Sequence, residues 1–307
     1  MDVKKQISRI GWAYVAFYLV SVGIQPLIGK GIQLAGATLP TAIMSETGLM
    51  LLSQFSMYVF GFPVFYRMMK QLPCWHMQEK KRLTVGDLFL ALTICLGTVY
   101  IGNLVGQAMM IMSDSLLGTQ SINPVTEMVL GMDPFSMFLT TVIIAPIMEE
   151  LMFRKLLIDR IVPCGQGIAV VISGVSFGLF HGNFYQFFYA CTLGMIFAYL
   201  YSYTGRIRYN IALHMMINVI GGFLPLMMQN WYIQGNPLAV TISVALGMIM
   251  LFSVVGTIVL GCILGRKLTW FPSWIDTAED KLVMCIVKAS GVWAFLAVSI
   301  TEFLVSY

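Results

Sequence analysis

Apolar residues run along this chain in long stretches, broken by short clusters in which Lys, Arg, Asp, Gly and Pro collect. Runs of this length without strict in/out alternation have the dimensions of membrane-crossing helices rather than strands. They predict spans at about 10–28, 41–66, 87–112, 135–161, 165–182, 184–203, 209–228 and 238–265, with a less sharply bounded ninth at about 283–304. Lipid offers no partner to an open backbone group, so each run must be helical; a closed barrel would need shorter, alternating segments. The expected fold is all-α, a polytopic transmembrane bundle of about 8 spans. Local punctuation agrees with several edges. Asp133 and Pro134 read as a helix cap and first-turn proline, Thr84 and Asp87 have the spacing of a capping box, and Gly182–Asn183 marks a tight break. No internal repeat or separate soluble domain is visible, so residues 1–307 read as a single membrane domain.

Composition supports this picture: 58% of the 307 residues are hydrophobic and only 10% are charged, far below the quarter or so charged in soluble domains. The net charge of +4 therefore speaks of orientation, not of nucleic acid. With the spans above, Lys4, Lys5, Arg9, Arg67, Lys70, Lys80, Lys81, Arg82, Arg154, Lys155, Arg160, Arg206, Arg208, Arg266, Lys267 and Lys281 fall on one side, 16 of the 18 basic residues. The N-terminus is thus expected in the cytoplasm, in a multi-pass protein of the cell membrane, with the 113–134 and 229–237 connections outside. The apolar stretch Ile10–Ile28 follows Lys4, Lys5 and Arg9 with no persuasive cleavage site after it, which predicts a retained first span. Six cysteines (74, 95, 164, 191, 262 and 285) form no C-x-x-C pair and predict neither a disulfide framework nor a zinc knuckle.

Ionisable groups inside apolar spans are costly, and those a sequence keeps are candidates for function. Here they are Glu149, Glu150 and Arg154 in TTVIIAPIMEELMFRKLL, His181 in VISGVSFGLFHGNF, and His214, with Asn218 beside it, in YNIALHMMINVIG. Glu150 and Arg154 are one helical turn apart and can neutralise each other, whereas Glu149, rotated about 100° from Glu150, is the freer carboxylate. His214 and Asn218 are likewise one turn apart and can offer donors to one oxygen atom, the arrangement an oxyanion needs. Amide hydrolysis in a poorly hydrated place requires a base for water, a proton for the leaving amine and donors for the oxyanion; Glu149 and His181 could supply the first two. The same acidic cluster at a span end is also what a structural ion-pair network looks like, and a lone intramembrane histidine often only bonds helices together. Two His and a Glu are an acceptable zinc set, so Glu149, His181 and His214 are the ligands if a metal is present, although no H-E-x-x-H or H-x-x-E-H spacing occurs. No cofactor is required by the sequence. The 23 methionines and the aromatics Phe184, Tyr185, Phe187, Phe188 and Tyr189 are expected to pack or face lipid.

At these residues the chain resembles the type II CAAX prenyl endopeptidase and bacteriocin-processing (CPBP, or Abi) intramembrane proteases. The three family motifs stand here in order as EELMFR (Glu149–Arg154), FGLFH (Phe177–His181) and HMMIN (His214–Asn218), within a core of about 135–225. The resemblance implies a peptidase in which Glu149 and His181 activate water, His214 and Asn218 form the oxyanion pocket, and Glu150 and Arg154 support them. It leaves open a metal-dependent or a glutamate-dependent chemistry. The implied partners are a membrane-associated peptide or protein substrate and the bilayer. A non-catalytic immunity or peptide-binding protein of the same fold is the alternative; a transporter is a third reading, against which the sequence shows no inverted repeat or paired broken helices. Depth poses a problem for the convergence of these residues. At about 1.5 Å per residue, Glu150, His214 and His181 lie about 17, 8 and 24 Å from the cytoplasmic ends of their spans, so either the spans tilt or the one ending at His181 starts after Gly167.

Overall fold

The computed structural model describes residues 2–34, 45–75, 81–118, 123, 131–265, 268–275 and 279–305. Residues 41–44 at the start of the second expected span, 119–122 and 124–130 of the 113–134 connection, and Lys80, Arg266 and Lys267 lie outside them. The described residues form helices α1 (Val3–Leu34), α2 (Glu46–Lys70), α3 (Val85–Leu117), α4 (Pro134–Cys164), α5 (Gln166–Phe180), α6 (Phe184–Thr204), α7 (Ile207–Ile233), α8 (Leu238–Leu264), α9 (Glu279–Val287) and α10 (Ser290–Val305). The expected caps are present: Asp133 accepts from Ser136 N–H, and Thr84 and Asp87 form a reciprocal capping box.

The protein is a helical polytopic membrane bundle, but the expected count of about 8 spans needs correction. Among the described residues six helices, α1 to α4, α7 and α8, are long and apolar enough to cross a membrane, and α9 with α10 makes a seventh if the pair, bent by 52°, is one span. Helix α5 has 15 residues, about 22 Å at 1.5 Å per residue, short of a hydrocarbon core about 30 Å thick. Helix α6 has 21 residues, yet Gln186 and its tyrosines lower its apolarity. Helix α6 is also enclosed by other helices along much of its length. It packs against α5 on one side and α3 on another. Lipid-facing helices behave oppositely: α8 leaves Val244, Leu251, Phe252, Val255 and Ile258 exposed, a surface that belongs against acyl chains.

Close helix contact is built from glycine. A Cβ on Gly194 of α6 would lie 2.9 Å from the Cα of Gly174 on α5 and 3.1 Å from the Phe177 ring, so the α5–α6 hairpin closes only without side chains there. At its tip, Gly182 has φ +65°, a left-handed conformation that glycine adopts without strain, and Asn183 caps α6 by accepting from Gln186 N–H.

Three helices change pitch where proline forces it. Wide, π-type segments at Ser56–Gly61, Phe138–Ile144 and Val219–Phe223 each run directly into a helical stretch with proline in its first turn: Pro63, Pro146 and Pro225. Proline lacks the N–H and crowds the carbonyl one turn back, and a local π segment is one way to absorb that mismatch. Two of these segments border the candidate site, one just before Glu149 and one just after Asn218.

Contacts among helix ends gather the basic residues. Gln6 donates to the carbonyls of Pro73 (3.3 Å) and Arg160 (2.7 Å), Arg160 donates to Met69 (2.7 Å), and Leu83 N–H donates to the Tyr209 hydroxyl (3.2 Å). The start of α1, the ends of α2 and α4, and the starts of α3 and α7 therefore share one end of the bundle.

Candidate active site

Glu150 is the centre of a fully buried polar network. Its Oε2 pairs with Arg154 Nε at 3.2 Å, both side chains being 0% exposed, and accepts from Asn210 Nδ2 at 3.3 Å. Its Oε1 accepts from His214 Nδ1–H at 2.9 Å. Asn210 also donates to the Phe197 carbonyl at 2.7 Å, which ties α4, α6 and α7 together at one point. The Arg154 guanidinium is sandwiched between the rings of Phe177 (4.4 Å) and Phe197 (5.3 Å). With few hydrogen bonds available to a buried guanidinium, the ring faces supply the compensating electrostatics, about 2 kcal/mol or more for a desolvated cation–π contact. The i, i+4 pairing of Glu150 with Arg154 expected from sequence is thus present even though residues 151–156 form a further π segment.

Glu149, His181, His214 and Asn218 meet in a different place. They line one cavity of about 320 Å³, together with Gln54, Asn103, Thr141, Phe177 and Tyr189 among others. Glu149 Oε2 lies 3.6 Å from His214 Nε2, a distance that leaves the pair electrostatically coupled but without a direct strong hydrogen bond. His214 is therefore held on its Nδ1 side by Glu150 and faces Glu149 with Nε2. His181 follows the same logic. Its Nδ1 lies 2.8 Å from the Phe177 carbonyl; a carbonyl can only accept, so Nδ1 carries the proton and Nε2 keeps its lone pair. Asn218 donates one amide hydrogen to the Thr141 carbonyl at 2.8 Å, within the π segment that precedes Pro146, and its second amide hydrogen remains for a ligand.

The depth problem resolves without the later start proposed for the fifth run. Helix α5 begins at Gln166, not after Gly167, and Glu149, His181 and His214 nevertheless line one cavity. Sequence spacing separated Glu149 from Glu150 correctly as cavity and buried partner. It did not find Asn210 and Phe197, which complete the network, or Tyr189, expected only to pack, which lines the cavity and stands 6.5 Å from the His181 ring.

The residues do not fit a metal site. Among the described residues no group of three or more His, Cys, Asp and Glu side chains is arranged to hold a metal ion, so Glu149, His181 and His214 do not form the three-ligand set expected of them if a metal were present. Their geometry offers bases and donors instead.

Comparison with known proteins is consistent with this geometry. Residues 131–220 match the family model for "Type II CAAX prenyl endopeptidase Rce1-like", a segment that contains all three motifs. A Bacillus subtilis (strain 168) protein named "Putative membrane peptidase YdiL" is 34% identical over 83 residues, 27% of this chain and 34% of that protein. The aligned stretch thus spans about a third of the relative's own length. No solved structure matches the chain.

Proposed function

We propose that this protein, whose residues 131–220 match the type II CAAX prenyl endopeptidase family model, is an intramembrane endopeptidase of the CPBP group that hydrolyses a peptide bond in a membrane-associated peptide or protein. The observation that carries the reading is the gathering of Glu149, His181, His214 and Asn218, from α4, the tip of α5 and α7, around one cavity inside a lipid-embedded bundle. Glu149 is the only one of the two adjacent carboxylates that borders the cavity, and its partner Glu150 is committed to Arg154, Asn210 and His214.

In this reading Glu149 takes a proton from a water molecule held between its carboxylate and His181 Nε2, and the water oxygen attacks the substrate carbonyl carbon. The developing oxyanion is met by the free amide hydrogen of Asn218 and by His214. To donate from Nε2 while Nδ1–H stays on Glu150, His214 must carry both protons, and the carboxylates on either side of it balance that charge. Collapse of the tetrahedral intermediate breaks the C–N bond, and the proton first taken by Glu149 passes to the leaving nitrogen. Glu150, Arg154 and Asn210 act only through His214, as positioning residues.

The reading is tested by comparing the membrane peptides of cells that carry the wild type with those of cells that carry Glu149→Gln. Peptides processed only with the wild type are the expected result and identify the substrate. An identical peptide set in both, with a bound peptide recovered equally from each protein, would establish the non-catalytic binding reading instead.

A further inference from the structure

The turn after His181 leads into a line of side-chain hydrogen bonds whose direction is fixed by the backbone. Asn183 Nδ2 donates to the His181 carbonyl at 2.8 Å, and Asn183 Oδ1 accepts from Gln186 N–H at 3.0 Å. A carbonyl can only accept and a backbone N–H can only donate, so the Asn183 amide has one possible orientation. Its Nδ2 also donates to Gln186 Oε1 at 2.9 Å, which fixes the Gln186 amide in turn. Gln186 Nε2 then donates to the Tyr189 hydroxyl oxygen at 2.9 Å. At the end of the line Tyr189 receives a hydrogen bond and keeps its own hydrogen to give. Among the described residues nothing is bonded to that hydrogen. The residue borders the cavity that holds Glu149, with its ring centre 6.5 Å from that of His181. The site therefore contains a donor that the reaction outlined above does not use.

We infer that Tyr189 is a substrate-binding residue, whose hydroxyl donates to a backbone carbonyl of the peptide beside the scissile bond; the inference rests on the reading of this cavity as a peptide site. A peptide drawn into a lipid-embedded bundle brings carbonyls that lipid cannot satisfy, and each one left bare is costly. The scissile carbonyl is met by Asn218 and His214 from α7. Tyr189 belongs to α6 and stands by His181, so it serves another carbonyl of the same chain. Such a contact is made alike in the ground state and in the transition state. It strengthens binding and leaves the chemical step alone.

The test uses the full chain and the peptide that the comparison of wild type with Glu149→Gln yields, whether as a processed or as a bound species. Tyr189→Phe removes only the hydroxyl. Its effect is measured on cleavage with Glu149 intact, and on the Kd of the same peptide in the Glu149→Gln background. Both KM and Kd are expected to weaken at least about fivefold, the cost of leaving one buried acceptor unpaired, while kcat stays within about threefold. Thioamides then replace one peptide carbonyl at a time, since sulfur accepts a hydrogen bond more weakly than oxygen. At one position other than the scissile bond the thioamide should weaken binding to the Tyr189 protein and leave binding to Tyr189→Phe unchanged, a pattern that a merely structural tyrosine would not produce. Equal KM and Kd in the two proteins, a loss confined to kcat, or the same thioamide pattern in both would overturn the inference. A peptide that binds but is never cleaved would overturn the peptidase reading and leave the Kd comparison to decide on Tyr189. If no peptide is processed or bound, both fall.

Discussion

The segment 131–220 and the helices that flank it contribute to the candidate site in different ways. Within the segment lie both carboxylates, both histidines, Asn218 and the arginine that Phe177 and Phe197 enclose, and every hydrogen bond of the Glu150 network is internal to it. Among the described residues the flanking helices add no charged side chain to the cavity lining. They supply its walls, with Met50 and Gln54 from α2, Val99 and Asn103 from α3, and Phe223 and Leu226 from the later part of α7. The candidate reacting groups are thus concentrated in one compact segment, while part of the cavity wall comes from elements outside it. Such a division lets substrate choice vary without disturbing the reacting groups.

The largest effect expected from breaking this division is on the buried network. Arg154→Leu breaks the buried ion pair with Glu150, a loss of about 3–5 kcal/mol, and should lower Tm steeply as well as remove activity. A well-folded Arg154→Leu protein with a normal Tm would contradict the account of the network. The next effect belongs to the oxyanion side. Asn218→Ala should lower kcat by about 10²–10³, the usual cost of one such donor, with KM changed far less; an unchanged kcat would remove Asn218 from the reaction.

Gly194→Val tests the α5–α6 contact. Overpacking of this kind costs about 1–3 kcal/mol, and it should loosen His181 at the hairpin tip, so Tm and kcat fall together. Gln54→Leu is a change in the wall. It should alter KM and the preference among peptides while kcat for the best substrate stays within about tenfold, the scale of a single pocket contact. A loss as large as that of Asn218→Ala would mean that the flanks contribute chemistry after all. The smallest effect lies at the start of α4. Ser136, through its hydroxyl and its N–H, holds the Asp133 carboxyl below its usual range. A carboxylate so depressed stabilises the fold above its unfolded pKa, and the contribution is lost as pH falls through the folded value. Asp133→Ala should therefore lower Tm slightly at neutral pH and not at all in acid, as paired thermal scans would show.

Much of this was legible in the sequence because intramembrane charge is rare. Glu149, Glu150, Arg154, His181 and His214 stood out against apolar runs, and helical spacing was enough to assign Glu150 rather than Glu149 to Arg154. What spacing could not show were contacts between helices. Asn210 lay inside the expected span 209–228 with no role assigned, and Phe197 was one aromatic among many; both gain meaning only where α4, α6 and α7 touch. Glu302 is a third case. Inside the expected run 283–304 it was given no role, yet it accepts from the Tyr18 hydroxyl and packs against Gly182, next in sequence to His181. The span count differed for a simpler reason: the run at 165–182 holds a helix of only 15 residues, and the last run is bent by 52°.

The central claim is that Glu149 activates water while Glu150 only positions His214. It is tested most directly by reconstituting the wild type and Glu149→Gln in liposomes with a membrane peptide cleaved by the wild type, and measuring single-turnover cleavage beside Tm. The account predicts that Glu149→Gln keeps the wild-type Tm within a few degrees and loses cleavage by at least about 10²–10⁴, the contribution of a general base. Cleavage by Glu149→Gln at the wild-type rate would contradict it.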